Sequence, residues 1–354
     1  MRWPTLTSRA IIGVDIGSRY MKAAQVVGSR ITAAVSVPRT SSSGALEPSE
    51  IQRLSQALRK NQFRGKSIVL AVPASQLLTA IMELPPRSSG APIEQLACSE
   101  LARRHNVDMG SLEIACWDLP PPARAANRAY VMAVACPQAN AESLLDVIEG
   151  EGLNVEALDV QAMAVSRACL PLLSDVHQTG AILDVGWASS RLVLLHGGTV
   201  VYERDLAKSG FGAMVRLVAS ERNAAVDATE HLFFTEGLEN LGLPTGGAGA
   251  GTGSPGNGQG SNGTTTLASH LENMAAEVRT SLAYLASQYQ DAIVKRLLMV
   301  GGGACIRGLQ GFLAAKLDLE VRIVNPGDLG QCPETLHVTY GPSLIPALGL
   351  SQYS

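Results

Sequence analysis

The chain has 354 residues, 46% of them apolar and 17% charged, with a formal net charge of −3 at pH 7. That length allows two or three domains with real cores, and the composition excludes a disordered chain. Neither half is strongly basic or acidic, which argues against nucleic acid or an anionic membrane surface as the main partner. Six widely spaced cysteines (Cys98, Cys116, Cys136, Cys169, Cys305, Cys332) include no C-x-x-C pair and no histidine at metal-ligand spacing. They read as buried thiols of a reducing compartment rather than as a zinc or disulfide framework. No stretch approaches the roughly 18 uninterrupted apolar residues of a membrane span. The N-terminal MRWPTLTSRA lacks the apolar core of a secretory signal, so the expected location is cytoplasmic.

In chain order, Ile11 to Val37 alternates like a three-stranded meander, with turns at Gly17-Ser18 and Gly28-Ser29. A TSSSG loop (Thr40 to Gly44) leads to a helix ending near Asn61, with Ile51, Leu54 and Leu58 on one face. Ser67 to Val72 is a continuous apolar strand. Gln76 to about Gly150 reads as a small inserted α/β unit: strand 76–84, helix 93–105, strand 112–119, a Pro/Ala turn at 120–127, strand 130–136 and helix 139–150. Val155 to Val160 and a helix from Gln161 to Leu172 return to the first core, and His177 to Gly180 bridges to a second meander, Ala181 to Leu206. Helices are expected at 210–221 and 227–241. Pro244 to Thr266 holds 23 residues, nine of them Gly, and reads as a flexible insertion. As a coil its ends would lie roughly 25 Å apart on average. A long helix (267–289), a strand (297–300), Gly301-Gly302-Gly303, a helix (306–317), a strand (321–324) and a short apolar helix (345–350) complete the chain.

The two meanders match. Each has a buried-looking strand ending in an acid and D-[IV]-G at the turn, and 13 residues separate the acid from the next glycine turn, Asp15 to Gly28 and Asp184 to Gly197. Such repetition points to a duplicated domain with one hairpin in each half. Backbone N–H groups in a tight glycine turn hold phosphate oxygens. Gly17 and Gly186 allow close backbone approach, and Ser18, Ser189 and Ser190 offer hydroxyl donors. Asp15 and Asp184 suit Mg²⁺ held through water, and Lys22 suits a phosphate as a point charge. The later strand–GGG–helix run can pass flat under a base or ribose. That run lacks the complete G-x-G-x-x-G with a following acid, and the chain holds no P-loop, no G-x-S-x-G and no visible nucleophile–base pair.

Together these motifs resemble the actin-like ATPase superfamily, which includes heat-shock chaperones, sugar kinases and FtsA. IIGVDIGSRYMKAAQV, AILDVGWASSRLVLLHGGTVVYERDL, EVRTSLAYLASQYQ, RLLMVGGGACIRGLQGFLAAKLDLEVRIVNP and IPALGL are similar to the corresponding blocks of one branch, the PilM family of type IV pilus assembly proteins. The likeness spans nearly the whole chain outside 244–266. It implies an α/β, ribonuclease H-like duplicated fold with two domains around a nucleotide cleft. Residues 9–75, 151–178 and 340–354 would form subdomain 1A, and 76–150 an inserted subdomain 1C of the FtsA/PilM type. Residues 179–206 and 296–339 would form 2A, and 207–295 would form 2B. The resemblance implies ATP and Mg²⁺ as cofactors. Asp15, Gly17, Ser18 and Lys22 would meet the phosphates and the metal, and Asp184, Gly186, Ser189 and Ser190 would form the second loop. Gly210 and Gly212 would line the cleft. Glu277 and Arg279 would approach ribose and base, and Gly301, Gly302, Gly303 and Arg307 would pack on adenosine.

The second loop reads D-V-G-W-A-S-S-R where this branch commonly has D-I-G-A-T-T-T-N, and Gly-Phe-Gly replaces the usual adjacent glycine pair. Slow or absent hydrolysis is therefore the expectation, with no residue assigned as a general base. Asp159 and Gln161 occupy the connection where relatives orient water, a place where a strand-end acid and a helix-start polar residue are also ordinary. The resemblance further implies a scaffold at the inner face of the inner membrane. It would bind the N-terminal cytoplasmic segment of a PilN-like membrane protein in a 1A/1C groove, contact other pilus or secretion components, and possess the option of self-association. A small-molecule kinase of the same superfamily and a nucleotide-free adaptor resembling the cytoplasmic part of GspL remain open as alternatives.

Overall fold

The computed structural model describes residues 10–41, 45–122, 128–173, 179–241, 262–290, 292–333 and 341–353. The N-terminal residues 1–9, parts of the expected loops at 40–44, 120–127 and 177–180, and most of the glycine-rich tract lie outside these residues.

The first meander is β1 (Ile12–Ile16), β2 (Tyr20–Val27) and β3 (Arg30–Pro38), followed by α1 (Pro48–Lys60) and β4 (Ser67–Ala71). The inserted unit follows as β5 (Leu78–Leu84), α2 (Ile93–His105), β6 (Leu112–Asp118), β7 (Ala129–Pro137) and α3 (Gln138–Glu149). The chain returns through β8 (Asn154–Asp159) and crosses by α4 (Gln161–Cys169). The second meander is β9 (Gly180–Val185), β10 (Ser190–His196) and β11 (Thr199–Leu206). Next come α5 (Phe211–Arg222), α6 (Val226–Thr235), α7 (Gly237–Asn240) and α8 (Asn262–Gln288). The last elements are β12 (Arg296–Val300), α9 (Leu309–Leu317), β13 (Glu320–Ile323), α10 (Pro326–Leu329) and α11 (Ile345–Ser351).

Two five-stranded sheets have the same topology, β3-β2-β1-β4-β8 and β11-β10-β9-β12-β13. In each, the meander is antiparallel and the last two strands run parallel to its first strand. The central strands are covered on both faces, so they read as continuous apolar runs rather than alternating ones; every residue of β9 is buried. The inserted unit carries its own sheet, β5-β7-β6.

The two halves share a core. Ala24, Ile31 and Ala34 of the first meander pack in one cluster with α4, α11, and Ile182, Val193 and Leu298 of the second sheet. Helix α11 is sunk into this seam. A Cβ at Gly349 would stand 1.9 Å from the Ala164 carbonyl oxygen of α4, and one at Gly13 would stand 2.0 Å from the Ala347 carbonyl oxygen of α11. Glycine at both positions brings the C-terminal helix to backbone contact with β1 and α4. A buried ion pair anchors the first meander to α1: Arg39 Nη2 donates to Glu50 Oε2 at 2.9 Å, and Glu50 is fully buried. Burial alone would push the Glu50 carboxyl up. Hydrogen bonds from Arg39 and from the amides of Thr40, Ser41 and Glu47 hold it down at about 2.

Several boundaries differ from the sequence expectation, three of them by more than the end of a single turn or in their cause. The helix expected at 227–241 breaks at Gly237, whose φ of 77° lets the chain pass Arg307; a Cβ there would meet Arg307 Cβ at 2.6 Å. The helix expected from Ile306 begins at Leu309, because Gly308 sits at φ 86°. Helix α8 starts at Asn262, so the last residues assigned to the flexible insertion are helical.

Gly349→Ala is expected to lower stability by about 3 kcal/mol, since backbone of α4 or α11 must move to admit the methyl group. Gly311→Ala, where a Cβ meets open space on α9, should gain up to about 1 kcal/mol from helix propensity. Thermal unfolding of the two variants would separate these effects.

Candidate functional site

Both acid-ended hairpins close in the same way. In the first, Asp15 and Lys22 face each other across β1 and β2, and the Gly17 amide donates to the Tyr20 carbonyl at 3.0 Å. In the second, Asp184 and Arg191 face each other across β9 and β10. A Cβ at Gly17 would lie 2.8 Å from the Tyr20 carbonyl oxygen, and one at Gly186 would lie 2.6 Å from that of Ser189. Glycine is thus required at the same point of both turns, two residues after the acid.

The turns bring charges together inside the seam between the halves. Asp15 and Asp184 are both buried. Lys22 Nζ lies 2.5 Å from Asp15 Oδ2. Burial works against charging Lys22, but the carboxylates of Asp15 and Asp184 outweigh it and the ammonium stays above its ordinary value. Asp184 takes a hydrogen bond from Gln161 Nε2 at 2.7 Å, and the same Gln161 accepts one from Arg191 Nη1 at 3.0 Å. Arg191 Nε lies 3.1 Å from Glu203 Oε1. Burial, and then the nearby Asp15 charge, push the Asp184 carboxyl up to about 6.

The strand–GGG run reaches this site directly. Val300 of β12 is registered beside Asp184. A Cβ at Gly301 would come 2.2 Å from Asp184 Oδ1, and one at Gly303 would come 2.3 Å from Val185 Cγ1. At Gly302 a Cβ would meet nothing within 4 Å, so this glycine presents an open face. Asp15, Gly17, Lys22, Asp184, Gly186, Gly301 and Gly303 are therefore gathered at one place, with exposed Ser18 on the first turn and half-buried Ser189 on the second.

Other expected site residues have different partners. Ser190 is fully buried and its hydroxyl donates to the Ser209 carbonyl at 2.5 Å. Gly210 and Gly212 receive the second turn: the Phe211 amide donates to the Gly186 carbonyl at 2.8 Å and the Gly212 amide to the Trp187 carbonyl at 2.9 Å. A Cβ at Gly212 would stand 2.7 Å from the Trp187 indole. These glycines let α5 accommodate the bulky Trp187 instead of lining an open cleft. Arg307 donates to the Thr235 carbonyl, and its own carbonyl accepts from the Leu238 amide at 2.9 Å, which fixes the α6–α7 corner. Arg279 Nη2 donates to the Lys316 carbonyl at the end of α9, at 2.6 Å. Glu277 faces Arg204 at 3.9 Å. Asp159 is held by Arg167 at 3.1 Å and by the Val160 amide at 2.7 Å, as an ordinary strand-end acid would be.

Arg19 and Arg191 were not singled out in the sequence. The signal for Arg191 is available: it stands seven residues after Asp184, as Lys22 stands seven after Asp15. Among the described residues no group of three or more His, Cys, Asp or Glu side chains could hold a metal. The two carboxylates suit a cation that arrives with phosphates and water, not a dedicated protein metal site. A cavity of about 240 Å³ opens elsewhere, between the inserted unit and the second half, where Tyr130, Tyr202, Tyr284 and Tyr289 meet. It includes none of the cleft residues, and ligand pockets generally run to roughly 300–1,000 Å³.

The family model for the type IV pilus assembly protein PilM matches residues 13–230, more than half of the chain. The chain belongs to the PilM family. Among solved structures it is similar to the PilM–PilN type IV pilus biogenesis complex, with a TM-score of 0.76, 21% identity and 98% of each chain covered. The ethanolamine utilization protein EutJ of Carboxydothermus hydrogenoformans matches with a TM-score of 0.57 and 14% identity over 99% of this chain and 92% of that one. MreB 5 of Spiroplasma citri bound to AMPPNP matches with a TM-score of 0.51 and 11% identity over 97% and 95%. These likenesses establish the actin-like fold, and the duplicated sheets account for it within this chain. No helix of the described residues is long and apolar enough to cross a membrane.

The Asp184 environment fixes a pH dependence. Its folded value, about 6, exceeds the unfolded value of 3.8, so the native state binds the proton more tightly. Stability should therefore fall as pH rises from 4 to 6, with a total loss of roughly 3 kcal/mol. Asp184→Asn should be more stable than wild type at pH 7 to 8 and should lose that advantage below about pH 4. Urea unfolding of both proteins across this range would show it.

Proposed function

We propose that this chain is an actin-like scaffold of a type IV pilus or related secretion machine, with a nucleotide held between its two halves. The observation that carries the reading is the pair of matching acid-ended turns, which bury Asp15 and Asp184 at one seam with Lys22 between their charges. Two buried like charges require cations, and a nucleotide with its magnesium supplies one while offering phosphates to Lys22 and the turn amides. Gly301 to Gly303 would then face the nucleoside, with Gly302 as the open surface. Serine 18 and Ser189 remain as hydroxyl donors. Ser190, Arg279 and Arg307 would act by shaping the pocket, given their other partners. The proposed division is the one set out above, with subdomains 1A and 1C in the first half and 2A and 2B in the second.

The proposed partner is a PilN-like inner-membrane protein, whose N-terminal cytoplasmic segment would lie between subdomains 1A and 1C. Family membership and the similarity to the PilM–PilN complex support it. The chain would then work at the inner face of the inner membrane through this partner. ATP would act by favouring one arrangement of the halves, to the extent that it binds that arrangement more tightly. Gln161 is engaged between Asp184 and Arg191, and Asp159 is engaged by Arg167. No base is assigned, and turnover is proposed to be slow or absent. The second turn, filled by Trp187, does not favour the kinase reading.

Titration calorimetry with Mg-ATP should give saturable binding to wild type and at least a tenfold weaker constant for Gly186→Ala, about 1.4 kcal/mol. Binding of a synthetic N-terminal peptide of the PilN-like partner should survive that substitution. An absence of nucleotide binding by wild type would leave the scaffold and remove the switch.

A further inference from the structure

Arg19 joins the two turns physically. Its backbone belongs to the first half, where its carbonyl accepts from the Arg39 amide at 2.8 Å. Its guanidinium belongs to the second. Cζ lies 4.2 Å from the Trp187 ring centroid, Nη2 lies 2.8 Å from Asp227 Oδ1, and Nη1 lies 2.6 Å from Glu230 Oε2. Trp187 is itself braced edge-on by Phe211, with centroids 5.6 Å apart. From the first half the Tyr20 ring faces the guanidinium at 5.9 Å.

The contributions are unequal. The Asp227 side chain is 87% exposed, so its pairing adds little. Glu230 is only 18% exposed, and the Trp187 face excludes water from one side of the guanidinium. Stacking of this kind strengthens as it is desolvated. An arginine suits all three contacts at once because its planar fork can pair at its edge while its face stacks.

We propose that Arg19 is a positioning residue: it clasps the first turn to the second half through Trp187 and Glu230, and so holds the two turns in register. This goes beyond the nucleotide reading and does not depend on it, since every contact lies within the chain. The relative placement of the two turns is then set in part by the chain's own side chains.

Backbone hydrogen exchange on the full-length, ligand-free protein tests the clasp. Arg19→Met keeps the apolar stem and removes the fork. It should speed exchange about tenfold both at Gly17–Lys22 and across α6 while leaving β9 and β12 protected. Wild type should move toward this behaviour in about 0.5 M NaCl, and Arg19→Met should not respond to salt. Arg19→Lys should fall between them, because it keeps the charge but not the planar stack. Wild-type exchange in Arg19→Met, or acceleration confined to the Gly17–Lys22 turn, would overturn the proposal. If Arg19→Met also unprotects β9 and β12, Glu230→Gln decides: it must speed exchange at Gly17–Lys22 on the opposite half, and unchanged exchange there refutes the clasp.

Discussion

The molecule is built around two carboxylates that it cannot bury separately. Asp15 and Asp184 end the first strands of two equivalent sheets, and docking the halves drives both acids into one water-poor seam. A buried charge without a partner costs several kcal/mol, so the surrounding residues are constrained in type. Lys22 neutralises Asp15 from the neighbouring strand. Gln161, the first residue of the crossing helix α4, hydrogen-bonds Asp184. The helix that carries the chain from one half to the other therefore also carries a site residue. The same helix meets Gly349 of α11 at backbone contact, so the site and the packing of the C-terminal helix share one element.

Duplication explains the site, and departure from it explains its polarity. Lys22 and Arg191 occupy the same register position in their hairpins. Lys22 reaches back to its own acid at 2.5 Å, whereas Arg191 turns to Gln161 and Glu203. Among the described residues, Asp15 therefore has a cation in direct contact and Asp184 does not. Asp184 is left to be pushed up by burial and by Asp15. The second half is accordingly the side with unmet electrostatic demand, although the two backbones are alike.

Much of this was legible in the sequence because it rests on backbone chemistry. Strand periodicity, the D-[IV]-G turns and their equal spacing gave the two meanders, the crossing helix and the strand–GGG run. These features follow from glycine stereochemistry and apolar pattern, which are local. What stayed hidden depends on contacts between distant segments. Gly237 breaks a helix because Arg307 passes beside it, 70 residues away in sequence. Ser190 looks like a phosphate donor until Ser209 is found against it. Arg279 and Arg307 lie in the right blocks but donate to carbonyls of α9 and α6. Trp187 looks like an obstruction in its loop; Gly212 and Arg19 show where an indole fits.

The inserted unit extends these constraints beyond the two sheets. It is attached to the first half by the chain, between β4 and β8, yet it also touches the second half. The Trp117 indole of β6 donates to the Val200 carbonyl of β11 at 3.0 Å, and Leu119, Met132 and Val134 pack in the core cluster of the second sheet. Strand β11 is the outer strand of the meander whose turn carries Trp187. A change in the angle between the halves must either break the Trp117 contact or move the inserted unit with the second sheet. Packed interfaces of this kind shift between discrete arrangements rather than deforming smoothly. The inserted unit and the turn that carries Trp187 are thereby tied through one strand, β11.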